Sequence, residues 1–132
     1  MSIVIPADVE NVFKFWIDSD LHTKITNSPA KIDGRQGGKF TSWDNYISGK
    51  FIENEPLKKI IQSWRTTNFP EDAPDSILNL NFEKDKKGTK IILNHSKIPE
   101  GQANNYRKGW NDFYFDLMTN YYNELPGENT NK

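Results

Sequence analysis

The segment from residue 101 to residue 124 places the strongest constraint on the fold. Large apolar residues recur there at intervals of four, three, four and four, at Tyr106, Trp110, Phe113, Leu117 and Tyr121. These intervals keep side chains on one face of an α-helix. The spacing therefore predicts a long C-terminal helix, and its ring-bearing face must be buried against another element.

The middle of the chain has the pattern of successive β-strands. Leu78, Leu80 and Phe82 alternate with polar residues such as Asn79 and Asn81, and this alternation is typical of an antiparallel strand with one buried face. Turn residues separate it from its neighbours. The pattern predicts six strands in succession, at residues 30–33, 39–43, 46–53, 59–67, 76–83 and 89–96.

Two short helices are predicted before these strands. Val9, Val12, Phe13 and Trp16 recur at helical spacing after the start signal Asp8. A second helix is expected at 20–26, and a short strand at 2–5 begins the chain. The order β-α-α-β6-α predicts an α+β protein with a curved antiparallel sheet wrapped around the C-terminal helix. We expect the bulky rings to leave a space between the two.

Composition narrows the class of protein. Aromatic residues make up 13% of the 132 residues, which argues for a folded core because disordered chains are poor in aromatics. A formal net charge of −1 argues against nucleic-acid binding. No apolar run approaches the ~18 residues of a membrane span. The chain has no cysteine, which excludes disulfides and thiolate metal sites.

The length predicts one domain over residues 1–124, followed by a polar tail over 125–132. The first six residues lack the basic region and long apolar segment of a secretory signal. We therefore expect a cytoplasmic protein, without insertion into a membrane.

Several short motifs occur in a distinctive order over residues 3–123. They are Val12-Phe13 and Trp16, Arg35-x-Gly37-Gly38-x-Phe40, Tyr46-x-Ser48-Gly49, Glu55-Pro56, Ile60-x-x-x-Trp64-Arg65, Phe69-Pro70, Thr89-x-Ile91-x-Leu93-x-His95, Ile98-Pro99 and Gly109-Trp110-x-x-Phe113. This series resembles the START-like helix-grip superfamily. Within it, the series is most similar to the C-terminal domain of the heat-shock protein 90 ATPase activator and its stand-alone relatives.

The resemblance implies a helix-grip fold with a cavity between the sheet and the C-terminal helix. The full co-chaperone carries a separate N-terminal domain that grips the chaperone. One domain fills this chain, so we do not expect it to recruit heat-shock protein 90 by that two-domain arrangement.

The primary functional prediction is a non-enzymatic domain that binds a small hydrophobic or aromatic ligand in the cavity. No cofactor and no metal are expected. The candidate cavity-lining residues are Phe40, Phe51, Gln62, Trp64, Leu80, Phe82, Leu93, His95, Trp110, Phe113 and Leu117.

The strand at 59–67 leaves two orientations open, because either of its faces could line the interior. If Trp64 faces the cavity, Gln62 is an inward polar group that could orient a ligand. Arg65 then faces outward, most simply into solvent. Gly109 in the C-terminal helix predicts close approach to the sheet or, alternatively, to a ligand.

The two histidines are expected to differ. His95 shares a strand face with Ile91 and Leu93, which predicts a buried neutral ring, with a ligand contact or a general base as alternatives. His22 is expected to be exposed, and two histidines so far apart do not predict a metal site.

Two alternative functions remain beside ligand binding. One is a co-chaperone module that binds heat-shock protein 90 and stimulates its ATPase. The other, less favoured, is a cyclase-type or hydrolase-type enzyme, for which His95 is the only inward candidate and has no evident acidic partner.

Overall fold

A seven-stranded antiparallel sheet forms the body of the structure, a computed structural model that describes residues 1–124. Its strands are β1 (Ser2–Ile5), β2 (Lys31–Ile32), β3 (Lys39–Ser42), β4 (Ile47–Glu55), β5 (Lys59–Thr66), β6 (Ser76–Asp85) and β7 (Gly88–Ser96). They are arranged in the order β1-β7-β6-β5-β4-β3-β2. The predicted fold class is confirmed: a curved antiparallel sheet packs with a long C-terminal helix. The predicted tail, 125–132, lies outside the described residues.

Two short helices follow β1. Helix α1 spans Val9–Ile17 and helix α2 spans Ser19–Thr26. Asp8 begins α1 by accepting a hydrogen bond from the Asn11 amide, and Asp18 begins α2 by accepting from the amides of Asp20 and Leu21. Such side-chain caps satisfy amides that have no partner within the helix. α1 packs on β6 and β7, which fills part of the concave face of the sheet.

The C-terminal helix has three segments. Helix α3 (Ala103–Trp110) runs into a π-helical turn (Asn111–Phe115), which continues as helix α4 (Asp116–Asn123). A π-helical turn accommodates one more residue than an α-helical turn. The predicted helix exists, but it is not α-helical throughout.

The π-helical turn changes which residues face the core. Beyond Trp110 the buried positions are Tyr114, Phe115, Met118 and Tyr122. Tyr114, Met118 and Tyr122 each lie one residue after a predicted counterpart, Phe113, Leu117 or Tyr121, because the extra residue shifts the phase of the helix. Phe113 is 55% exposed instead of buried.

The inward face of β5 is now defined. Ile60, Gln62, Trp64 and Thr66 are buried, whereas the residues between them are only half-buried. Trp64 and Gln62 therefore face the interior and Arg65 faces outward. No helix within residues 1–124 is long and apolar enough to cross a membrane.

The phase shift predicts unequal costs for two neighbouring truncations. Met118→Ala should lower the free energy of unfolding by about 2–5 kcal/mol, because it leaves a cavity in the core. Leu117→Ala should cost no more than about half as much, since Leu117 is only partly buried. Urea unfolding measures both. A larger loss for Leu117→Ala would contradict the π-helical phase and favour an unbroken α-helix.

Candidate functional site

A cavity of about 370 Å³ lies between the C-terminal helix and the sheet. From the sheet side it is lined by Trp43, Tyr46, Ile47 and Trp64. From the helix side it is lined by Asn105, Tyr106, Gly109, Trp110, Phe113 and Tyr114. Seven of these ten residues are aromatic, so a molecule in the cavity would meet ring surface almost everywhere.

A strained turn between β3 and β4 carries Trp43 to the rim of the cavity. Trp43, Asp44 and Asn45 have φ of 51°, 55° and 70°, a left-handed conformation that is costly for residues other than glycine. The Trp43 Nε1 donates a hydrogen bond of 3.1 Å to the Tyr114 hydroxyl. The turn thereby ties the end of the sheet to the C-terminal helix across the cavity.

Gly109 keeps the helix side of the cavity open. A Cβ atom placed on Gly109 would meet only Cδ2 of Phe113, at 3.8 Å, which is ordinary contact. The sheet therefore does not approach this glycine closely, contrary to the first of our two expectations. Glycine inside a helix costs about 1 kcal/mol relative to alanine, and the space it leaves belongs to the cavity.

His95 is held behind the cavity by hydrogen bonds that determine its tautomer. The Trp110 Nε1 donates to His95 Nδ1 over 3.2 Å, so this nitrogen is unprotonated. His95 Nε2–H then donates to the Ser76 hydroxyl over 2.8 Å, and Ser76 donates to the Trp64 carbonyl over 2.6 Å. The imidazole is thus a structural bridge between β6, β7 and the helix.

His95 does not line the large cavity. It lines a second cavity of about 220 Å³ together with Met1, Ile98 and Arg107, on the other side of Trp110. Neither hydrogen-bond partner of its ring is a carboxylate. The described residues thus give it no acidic partner for general acid–base catalysis.

His22 is buried, and the prediction of an exposed side chain is wrong. Only 4% of the residue is accessible. Its Nδ1 lies 3.0 Å from the Phe15 carbonyl, and its ring stacks on Phe15 with 4.3 Å between centroids. The physical reason is that α2 folds back on α1, which places His22 against the aromatic residues of α1.

Burial lowers the pKa of both histidines to about 4, although the Phe15 carbonyl partly opposes this shift for His22. Among residues 1–124 no three His, Cys, Asp or Glu side chains are placed to hold a metal ion.

The structure places three predicted lining residues, Trp64, Trp110 and Phe113, at the cavity. Phe113 reaches it from the exposed rim and not from the core. The other predicted candidates are absent from its lining: Phe40, Phe51, Gln62, Leu80, Phe82, Leu93, His95 and Leu117.

Packing explains where these other residues lie. Phe82 packs edge-on against Phe13 of α1, and Phe40 packs edge-on against Phe51. Strand alternation identifies inward side chains, but it cannot show which of them α1 and neighbouring side chains cover. Leu117 lies beyond the π-helical turn, which rotates it away from the predicted face.

The sequence reasoning missed four large lining side chains: Trp43, Tyr46, Ile47 and Tyr114. Trp43 and Tyr46 flank the predicted turn at Asp44-Asn45, and an aromatic residue on each side of a tight turn was an available signal. Tyr114 belongs to the wider apolar arc beside the predicted helix face, and its place in the lining depends on the π-helical turn.

Arg65 is more constrained than the solvated side chain we expected. It forms an ion pair of 2.8 Å with Asp75 and donates to the carbonyl oxygens of Pro70 and Ala73. These contacts fix the loop that places Phe69 against Trp64 and Tyr106. Arg65 therefore supports the rear wall of the cavity from outside.

The buried histidines predict a loss of stability in mild acid. Unfolded histidines have a pKa near 6.5, so between about pH 6.5 and 4 the unfolded chain binds protons that the folded protein does not. Stability should fall as pH decreases through this range, by at most about 1.4 kcal/mol per pH unit for each histidine.

Histidine ring resonances in NMR spectra test the origin of this effect. Both rings should remain neutral at pH 5.5, and His95 should carry its proton on Nε2. A titration midpoint above about 6 for either ring in the folded protein would contradict the account.

Comparison with known proteins gives a consistent result. A family model described as "Activator of Hsp90 ATPase homolog 1-like protein" matches residues 6–123. The mouse protein named activator of 90 kDa heat shock protein ATPase homolog 2 is 31% identical over 108 residues, which are 82% of this chain and 32% of that protein. Human homolog 1 is 28% identical over 107 residues, 81% of this chain and 31% of that protein. The chain spans about a third of the length of these curated relatives.

Solved structures match over most of the chain. A crystal structure described as an HSP90 activator from Plasmodium falciparum has a TM-score of 0.81 at 25% identity and covers 93% of this chain and 96% of that chain. The structure of CalU16 from Micromonospora echinospora has a TM-score of 0.77 at 24% identity, covering 95% of this chain and 73% of that chain. The second likeness concerns the fold alone.

Proposed function

The chain belongs to the family of Activator of Hsp90 ATPase homolog 1-like proteins, and from this premise we propose that it is a non-enzymatic binding protein of the cytoplasm. Its cavity holds a small hydrophobic or aromatic molecule. The observation that carries this proposal is the open, ring-lined space beside Gly109.

The size and the lining of the cavity support this function. Binding sites for small molecules usually measure about 300–1,000 Å³ and are mostly apolar, and the cavity here has about 370 Å³. Three costly features surround it: the left-handed turn at Trp43, the helical Gly109 and the π-helical turn. Costly local conformations often accompany functional sites.

An enzymatic role has less support. His95 is neutral and bridges Trp110 and Ser76, with no carboxylate among its partners. Proton transfer in catalysis requires an acid and a base directed at one substrate, and the cavity lining contains neither a histidine nor a carboxylate.

Ligand binding can be tested with a substitution that fills the cavity, Gly109→Leu, and a fluorescent dye. We expect N-phenyl-1-naphthylamine, a neutral dye that fluoresces in apolar surroundings, to bind the protein saturably. Gly109→Leu should weaken binding by at least about ten-fold, or about 1.4 kcal/mol, because the added side chain enters the cavity. The midpoint of thermal unfolding of the Gly109→Leu variant should not fall below that of the unmodified protein, since leucine is a better helix former than glycine.

Asn104→Leu is the matched control, since Asn104 is exposed on the same helix and does not line the cavity. It should bind the dye as the unmodified protein does. Absence of saturable binding to the unmodified protein, or equal affinity in Gly109→Leu, would contradict the proposal.

A second candidate function is binding to heat-shock protein 90 with stimulation of its ATPase. The specific observation that favours it is the likeness to the Plasmodium falciparum HSP90 activator, which this chain matches over nearly the whole of both chains.

Binding and ATPase assays with heat-shock protein 90 from the same organism test this second function. If the function is correct, the protein should bind the chaperone in the micromolar range and raise its ATP hydrolysis in a dose-dependent way. Subtraction of the rate left after specific inhibition of the chaperone removes contaminating ATPase activity. Absence of both binding and stimulation would exclude the co-chaperone role while leaving ligand binding untouched.

A further inference from the structure

We propose that the molecule held in the cavity carries a quaternary ammonium group, which the lining rings bind through cation–π interactions. This inference rests on the proposed ligand-binding function and specifies the chemistry of its ligand. Three properties of the lining carry it: the steep angles between its rings, the hydrogen bonds that already engage most of the polar atoms of these rings, and the absence of basic side chains.

The rings around the cavity form a cage and not a slot. Trp43 and Phe113 are inclined to each other by 73°, and Trp64 and Tyr106 by 79°. Trp110 is inclined by 46° to Trp64 and by 52° to Tyr114. Neighbouring lining rings therefore meet at steep angles. Such walls enclose a rounded group from several directions, whereas a flat ligand is held best between parallel rings.

Two of the three indole donors at the cavity are already used. Trp43 Nε1 donates to the Tyr114 hydroxyl, and Trp110 Nε1 donates to His95 Nδ1. A carboxylate or phosphate needs several donors, and the described lining offers it few beyond Trp64 Nε1 and the Asn105 amide unless these internal bonds break.

Tyrosine hydroxyls at the cavity have partners as well. The Tyr106 hydroxyl donates to the Gln102 side chain over 2.6 Å and lies 2.7 Å from Thr66 Oγ1. The Tyr46 hydroxyl accepts from Asn68 Nδ2 over 2.7 Å. A quaternary ammonium group makes no conventional hydrogen bond, so it suits a lining whose polar atoms are mostly engaged elsewhere.

The charges of the lining admit a cation. No lysine or arginine is among the described residues that line the cavity, while the rim turn carries the exposed carboxylate of Asp44 between Trp43 and Tyr46. Burial raises the pKa of Tyr114 to about 12, so this phenol stays neutral. Attraction for a cation would come from the negative faces of the rings, of which tryptophan provides the strongest.

A pair of isosteres isolates the charge. Choline and 3,3-dimethyl-1-butanol have the same shape, but choline carries a quaternary nitrogen where the alcohol has a carbon. Titration of the full chain, followed by tryptophan fluorescence and calorimetry, should show choline binding at least about ten-fold more tightly than the alcohol. Trp43→Leu should reduce this preference, because it keeps apolar contact and removes one electron-rich face.

Vesicles distinguish two sources of the same group. Vesicles of phosphatidylcholine, compared with vesicles of phosphatidylglycerol, test a lipid headgroup, and free choline tests a soluble molecule. Preferential binding to phosphatidylcholine vesicles supports the proposal and identifies a lipid headgroup as the source. Preferential binding of free choline supports it and identifies a soluble molecule.

The failure of this inference differs from the failure of the proposed function. Equal affinity for choline and its neutral isostere, or binding of neutral aromatic molecules alone, would overturn the cation preference while ligand binding stands. The cation preference and the proposed ligand-binding function are both contradicted if the protein binds none of the probes: neither isostere, neither type of vesicle and no N-phenyl-1-naphthylamine. A choline preference that persists unchanged in Gly109→Leu would place the cation outside the cavity and overturn the inference.

Discussion

Trp110 is the side chain on which the packing of this protein depends. The centroid of its ring lies 6.2 Å from the ring centroid of Trp16 in α1 and 5.6 Å from that of Trp64 in β5. It lies 4.6 Å from the ring centroid of Tyr114 in the next helical turn. Its indole nitrogen also fixes the tautomer of His95. One residue therefore joins the first helix, the sheet and the C-terminal helix. Because these rings meet at an angle, the same contacts that hold the helix in place leave space beside it.

The π-helical turn directly after Trp110 decides which residues enclose that space. It moves Tyr114 into the interior, where its hydroxyl accepts a hydrogen bond from Trp43. It leaves Phe113 on the rim, 5.7 Å from the Trp43 ring. The left-handed turn at Trp43 places the Trp43 ring on the opposite side of the cavity, where it contacts both residues. Two locally unfavourable conformations thus meet at the cavity, and the packing around Trp110 offsets their cost.

Much of the fold could be predicted from the sequence, because it depends on periodic patterns. The alternation at Leu78, Leu80 and Phe82 correctly predicted the buried face of β6. The helix, however, was predicted from its spacing alone, and one inserted residue put Leu117 and Met118 out of phase. A π-helical turn follows from tertiary packing and leaves no mark in a hydrophobic periodicity.

The candidate site was less predictable than the fold. Trp64 and Trp110 lie on regular elements, and their placement at the cavity follows from those elements. Trp43 and Tyr46 lie next to a turn, whose direction depends on backbone angles that composition does not reveal. The environment of His22 likewise depends on how α2 folds back on α1, which requires three-dimensional contacts between segments.

The central claim is that the ring-lined space beside Gly109 is a binding site, and the four tryptophan indole N–H resonances test it directly. Benzyl alcohol added to labelled protein should shift the resonances of Trp43, Trp64 and Trp110, which line the cavity. The resonance of Trp16, which stacks behind Tyr114, should move little. Saturable shifts confined to the three lining residues are the predicted result. No shift at any of the three, or an equal shift at Trp16, would contradict the account.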